Sequence, residues 1–168
     1  WKDLSIPADV IEEVADDVFV RELGLGAQHY SPARSLNQSN LFEPLGLSPH
    51  KKTIVLFTSG FDETYSIGHI NKVFGAPAAL DMVPFTNQIE WMRQVIAHVN
   101  NRNDLQLIVR IHPREGRNKR ESFVSGAYLE LKKLAESTNH QCKYIWPEEK
   151  ISSYDLGEIA DLVLTAWS

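Results

Sequence analysis

Four short apolar segments alternate with helical patterns along most of the chain, and this alternation constrains the fold more than any other feature. The segments cover 53–58, 105–111, 142–146 and 161–165. Each is a nearly continuous apolar run, which is typical of a strand covered on both faces. Strands that alternate with helices are joined by right-handed crossovers into a parallel sheet with helices on both faces. The sequence therefore predicts an α/β, Rossmann-like domain.

The helical segments between these strands have recognisable starts. A helix over 87–100 is indicated by capping-box spacing of Asn87 and Glu90 and by apolar residues at helical period. A helix over 122–137 has one apolar face, and a short helix ending near Ala160 follows a capping pattern. The other predictions are a helix over 5–20 capped by Ser5, a turn near 37–43, a long loop over 59–85, and the cap residues Ser152 and Asp155 of the short helix.

The organisation along the chain suggests one domain with a lead-in segment, both belonging to a larger protein. Residues 1–50 are predicted to be a helical linker that leads in from an N-terminal domain outside this chain. Residues 51–168 are predicted to be a binding domain, truncated at its C-terminus, because the chain stops directly after an apolar strand.

Composition narrows the possible partners. The formal net charge of -5 lacks the basic excess of most duplex-binding proteins, so no nucleic-acid partner is expected. No apolar run approaches the roughly 18 residues that span a bilayer, so no transmembrane segment is expected. The one cysteine, Cys142, lies in an apolar stretch and is expected to be a buried thiol, which favours a reducing, cytoplasmic location. The histidines lack metal-ligand spacing, so no metal site is expected.

Ligands of open parallel sheets bind outside the carboxyl ends of the strands. The loop after the second strand is the most informative, because it places five cations in an acidic protein with only Glu115 opposing them. An imidazole and a guanidinium held there can both donate hydrogen bonds to a phosphate. The alternative is a solvated basic loop whose histidine caps the strand. The residues concerned are Arg110, His112, Pro113, Arg114, Arg117, Lys119 and Arg120.

Three further loops contribute candidate residues. Ser59 and Gly60 would let a ligand approach the backbone after the first strand, and Asp62 and Glu63 are candidate acid/base groups or helix caps. The start of the short helix could attract an anion through its backbone N–H groups, although simple capping explains it equally well. The residues at that helix start are Ser152 and Ser153, and Ser168 stands where a phosphate-binding turn would be expected.

Several of these segments resemble a known enzyme family. Leu107–Glu115, with the sequence LIVRIHPRE, is similar to the His-Pro motif of bacterial GT-B glycosyltransferases. Ile151–Leu156 and Ala160–Ser168 are similar to later stretches of the same proteins, and Thr58–Glu63 resembles their first donor-domain loop. The likeness is to capsule and surface polysaccharide transferases, including Kdo transferases, and to bacterial sialyltransferases. It covers about residues 50–168.

The resemblance implies one half of a GT-B two-domain architecture that binds a CMP-, UDP- or GDP-linked sugar and needs no further cofactor. His112 would contact the donor phosphate, and a turn that includes Ser168 would also hold phosphate. The other domain would bind a saccharide or lipid-linked acceptor. The general base is unassigned, with Asp62 and Glu63 as candidates. The expected activity is metal-independent transfer to a growing surface polysaccharide, in the cytoplasm or peripherally at the inner face of the membrane.

Other functions remain open at this point. Nucleotide-sugar 2-epimerases share the architecture and use a His-Pro-type loop, and teichoic-acid-type glycerophosphotransferases are near relatives in pattern. A non-catalytic α/β binding module is the third hypothesis. A receiver-like module fits poorly, because Asp62 and Glu63 stand four residues past the first strand.

Overall fold

A four-stranded parallel sheet forms the centre of the structure, a computed structural model. The strands are β1 (Lys52–Phe57), β2 (Leu105–Arg110), β3 (Cys142–Ile145) and β4 (Leu162–Thr165). Their order across the sheet is β3-β2-β1-β4, and every pairing is parallel. The predicted α/β fold with a parallel sheet is therefore confirmed. The structure describes residues 5–25, 31–35, 41–60, 66, 69–70, 72–75, 85–117, 122, 124–138 and 141–165.

Helices pack on both faces of the sheet, as predicted. The expectation that every strand is covered on both faces is wrong for the edge strand β4, where Leu162 is 50% exposed and Val163 is 47% exposed. One face packs against the helices α3 (Gln88–Asn100) and α4 (Gly126–Glu136) through a large apolar cluster. The other face packs against α2 (Phe42–Leu45) and α5 (Ser153–Glu158) through a smaller cluster. The strand residues alternate between the two clusters, because successive side chains of a strand point to opposite faces. Leu56, Leu107 and Val109 belong to the first cluster, and Val55, Ile108 and Ile145 belong to the second.

Several local predictions need correction. The first helix, α1, spans Ala8–Glu22 with Pro7 as its N-cap and no side-chain cap, so the predicted role of Ser5 is wrong. α4 begins later than predicted, because the hydroxyl of Ser125 accepts a hydrogen bond from the backbone of Tyr128 and caps the helix there. The stretch 59–85 is not all loop: the described residues 66, 69–70 and 72–73 within it are helical.

The predicted N-cap residues of two other helices are confirmed, whereas the carboxylate of Asp155, predicted to take part in capping, accepts the backbone N–H of Ser35 instead. Asn87 caps α3 by accepting a hydrogen bond from the backbone N–H of Glu90. Ser152 caps α5 by accepting one from the backbone N–H of Tyr154. No helix in the described part of the chain is long and apolar enough to cross a bilayer.

Asp161 anchors the edge strand β4 beside β1. One carboxylate oxygen contacts Nζ of Lys52 at 2.7 Å, and the other accepts the backbone N–H of Thr53 at 2.8 Å. The backbone N–H of Asp161 donates in return to the carbonyl of Thr53. The hydrogen bond from Lys52 and that from Thr53 lower the pKa of Asp161 from its ordinary value.

This lowered pKa makes a pH-dependent prediction. A carboxylate with a depressed folded-state pKa stabilises the protein fully above its unfolded-state pKa of about 3.9, and the stabilisation is lost as the pH falls through the folded-state pKa. Asp161→Asn is therefore expected to lower the free energy of unfolding at pH 7 and to approach the wild type in acid. Urea unfolding of both proteins between pH 7 and pH 3 measures this; a constant difference across that range would contradict it.

The thiol of Cys142 is buried in the sheet, as predicted from the sequence. Burial raises its pKa to about 11, so very little thiolate forms near neutral pH. Because the thiolate is the reactive form, the native protein is expected to react with a thiol reagent such as DTNB far more slowly at pH 8 than the urea-unfolded chain. Equal labelling rates in the two states would show that the thiol is accessible.

Candidate functional site

The carboxyl ends of all four strands lie in one row. Phe57 is in register with Arg110 and with Thr165, and Arg110 is in register with Ile145. The loops that follow the strands therefore start at one edge of the sheet. The chain crosses from β1 to β2 on one side of β1, and β4 lies on the other side of β1. The topological switch point, where the strand order reverses, therefore lies between β1 and β4.

The loop after β1 is tied to the first residue of α3. The backbone N–H of Ser59 donates to Oε1 of Gln88 at 2.7 Å, and Nε2 of Gln88 donates to the carbonyl of Ser59 at 3.2 Å. Ser59 and Gly60 are both buried. Asp62 and Glu63, the candidate acid/base groups, lie outside the described residues and remain predictions.

The backbone of His112 is restrained by a hydrogen bond and by the proline that follows it. Its N–H donates to the hydroxyl of Thr58 at 2.7 Å, which joins the first residue after β1 to the second residue after β2. Its φ of -59° and ψ of 131° are the extended conformation predicted for a residue before proline. Pro113 and Arg114 then enter a 3-10 turn, Pro113–Glu115.

The imidazole of His112 has a defined tautomer. Its Nδ1 accepts a hydrogen bond from the backbone N–H of Arg114 at 3.3 Å. Because Nδ1 uses its lone pair in this contact, the proton of the neutral ring resides on Nε2. The ring is half-buried at the carboxyl edge of the sheet, as is Arg114. Neutral His112 therefore carries its hydrogen-bond donor on Nε2.

Arg110, predicted as a donor-binding residue, is buried, with 2% of its surface exposed. Its Nη1 donates to the carbonyl of Trp146 at 2.8 Å, and its Nε has no acceptor among the described residues. Burial lowers its pKa, while the carboxylates of Glu149 and Glu148 oppose that shift. An arginine remains charged in proteins, so Arg110 places a positive charge beneath the loops and links β2 to β3.

Glu115 is buried as well, and sequence reasoning missed its role. Its side chain accepts a very short hydrogen bond from the hydroxyl of Ser125, and its carbonyl accepts the backbone N–H of Ser125 at 2.9 Å. These two contacts close the ends of the loop 116–124, which carries Arg117. The signal in the sequence was the cap position of Ser125, but no local pattern pointed to Glu115 as its partner.

The loop after β3 packs closely on the loop after β2. A Cβ atom on Gly116 would stand 2.9 Å from Cγ of Pro147, closer than real Cβ contacts. Trp146 is stacked on Tyr144 with ring centroids 5.8 Å apart, and Nζ of Lys132 lies 3.4 Å from the centroid of the Trp146 ring. Trp146 is therefore engaged in packing within the protein.

The start of α5 already has protein partners. Ser152 is 1% exposed and caps the helix, and the backbone N–H of Ser153 donates to the hydroxyl of Ser31 at 2.8 Å. The carboxylate of Asp155 accepts the backbone N–H of Ser35 at 3.0 Å. These donors and acceptors dock the segment 31–35, so binding of an anion by Ser152 and Ser153 has no support from this geometry and stays a prediction.

Ser168 lies outside the described residues, as do Lys119 and Arg120. Within the described ranges, no group of three or more His, Cys, Asp or Glu side chains comes together as a metal ion would require. The structure thus brings together Ser59, Gly60, His112, Pro113 and Arg114 at one edge, and places Arg110 beneath them.

Comparison with protein-family models finds no match, and comparison with curated proteins finds none either.

The contact of Gly116 with Pro147 can be tested by substitution. Gly116→Ala adds a methyl group against a rigid ring and is expected to destabilise the protein by about 1–3 kcal/mol. Gly157→Ala is the matched control: Gly157 lies in α5 with open space around its Cβ position, so alanine there should stabilise by about 0.5–1 kcal/mol. Chemical denaturation measures both. Similar changes in the two variants would mean that the two loops do not pack as described.

Proposed function

We propose that this chain is the donor-binding domain of a GT-B-type glycosyltransferase, which binds the phosphate of a nucleotide-activated sugar at the carboxyl edge of its sheet. One observation carries the proposal: the imidazole of His112 lies at that edge with Nδ1 bound to the backbone of Arg114, so that its neutral form has the proton on Nε2. A hydrogen-bond donor at this edge can bind a phosphate oxygen.

The arginines around this edge support an anionic ligand. Arg114 and Arg117 belong to the same loop as His112, and Arg110 adds a buried positive charge below it. Three carboxylates of the loops after β2 and β3 keep their charge while each accepts a hydrogen bond within the protein. Glu115 accepts from Ser125, Glu148 accepts from Tyr128, and Glu149 accepts from the backbone N–H of Trp146.

In the proposed reaction, the bond between the anomeric carbon and the donor phosphate breaks, and negative charge grows on the departing phosphate. A hydrogen bond from Nε2 of His112 and the charge of Arg114 would stabilise that charge more strongly than the ground state. A carboxylate would remove the proton of the acceptor hydroxyl, with Asp62 and Glu63 as candidates. The saccharide or lipid-linked acceptor, its domain, and a site of action at the cytoplasmic face of the membrane belong to the same proposal.

The direct test is calorimetric titration of CMP, UDP and GDP, and of their sugar conjugates, into the intact two-domain protein. One nucleotide is expected to bind with a defined stoichiometry. His112→Ala should weaken its binding by about 1–3 kcal/mol, because a hydrogen bond to a charged group is lost. If no nucleotide binds, the proposal fails.

His50→Ala is the matched control for the histidine substitution. His50 is exposed and directly precedes β1 by sequence, so it lies at the amino edge of the sheet, opposite the candidate site. Its replacement should leave nucleotide affinity unchanged. Equal losses in the two variants would remove His112 from the site.

Product analysis with the full enzyme separates glycosyl transfer from the related reactions. A new glycosidic bond supports the proposal. A hexose epimer or a glycerol phosphate polymer would instead identify an epimerase or a glycerophosphotransferase, and binding without any product would indicate a non-catalytic module.

A further inference from the structure

Thr58 stands one residue past the row in which the strands end. It is 4% exposed, and its backbone N–H donates to the carbonyl of Arg110 at 3.1 Å, which continues the pairing of β1 with β2 by one step. Up to this point the contacts between the two strands are those of an ordinary parallel ladder.

One step beyond the ladder, a side chain takes the place of the backbone as the hydrogen-bond acceptor. The N–H of His112 donates to the hydroxyl of Thr58 at 2.7 Å, and this hydroxyl lies 3.4 Å from the carbonyl of Arg110, to which it donates. The hydroxyl therefore acts as acceptor and donor at once. On the other side of β2, the N–H of Ile111 donates to the carbonyl of Ile145 in β3. The backbone leading into His112 is thus held by both neighbouring strands.

The other restraints on His112 are local. Pro113 restricts the backbone that follows, and the N–H of Arg114 orients the ring through Nδ1. Both belong to the same loop and would move with it. Thr58 follows a different strand, β1. Of the three restraints from Thr58, Pro113 and Arg114, only the contact from Thr58 relates His112 to the loop after β1, which carries Ser59 and Gly60.

We infer that Thr58 is a positioning residue for His112, and that its hydroxyl rather than its bulk sets where the imidazole stands at the carboxyl edge. This inference rests on the proposed function for its effect on ligand binding. The contact itself can be tested without any ligand.

Two substitutions separate the hydroxyl from the shape of the side chain. Thr58→Val keeps the shape and removes the acceptor for the N–H of His112. Thr58→Ser keeps the hydroxyl and removes a methyl group. If the valine variant does not fold, Thr58→Cys replaces it, because a thiol is a much weaker acceptor.

The first measurement is hydrogen exchange of the backbone amide of His112, followed by NMR in each variant, with the signal identified by its displacement in His112→Ala. We expect this N–H to be protected from exchange in the wild type and in Thr58→Ser, where a hydroxyl accepts it, and to exchange roughly tenfold faster in Thr58→Val, where no acceptor remains on the side chain. Unchanged protection in Thr58→Val, or an equal loss of protection in both variants, would overturn the inference.

The second measurement is affinity for the nucleotide that the wild type binds. Thr58→Val is expected to weaken binding roughly tenfold, and Thr58→Ser by no more than about threefold, in line with loss or retention of one hydrogen bond. The inference would be overturned if both variants bound the nucleotide as tightly as the wild type. It would also be overturned if both variants lost affinity equally and their thermal stability fell by the same amount, because Thr58 would then have a purely structural role. If the wild type binds no nucleotide, the proposed function fails, and the exchange of the His112 amide still decides whether the hydroxyl of Thr58 holds this residue.

Discussion

The shared row of strand ends is the constraint on which the candidate site depends. Because Phe57, Arg110, Ile145 and Thr165 stand in register, the chain leaves the sheet at the same level in every strand. Residues far apart in sequence therefore start their loops side by side. The central strands of a parallel sheet are buried on both faces. The common level of their ends is therefore maintained both by the hydrogen bonds between strands and by apolar packing.

Buried polar groups then connect the loops to one another. Arg110 reaches from β2 to the carbonyl of Trp146 after β3, and Thr58 reaches from the end of β1 to the backbone of His112. Glu115 closes its own loop through Ser125. Each of these groups would be costly to bury without a partner, so each restricts the loops to one arrangement. The contact from Thr58 holds the backbone of His112, whose half-buried imidazole lies at this edge.

The first helix, α1, is attached by charge rather than by apolar packing. No residue of α1 is buried, and its apolar side chains, such as Ile11 and Val14, are more than half exposed. Arg34 connects the end of this helix to α5, with contacts to Glu22 at 3.5 Å and Glu158 at 2.5 Å. Exposed ion pairs of this kind contribute little stability, so the sheet domain does not depend on α1 for its core.

The sequence alone was sufficient for the type and order of the elements, apart from the helical residues within 59–85, since the apolar period and the cap residues act over a few neighbouring positions. Asn87, Ser152 and the extended backbone before Pro113 were all readable because their physical causes are local. Tertiary structure decided the rest. Arg110 looks like a ligand-binding residue in the sequence, and its burial depends on a carbonyl 36 residues away; the hydroxyl that holds His112 is 54 residues away. No local pattern specifies such partners, because only the parallel register of the strands brings them within hydrogen-bonding distance.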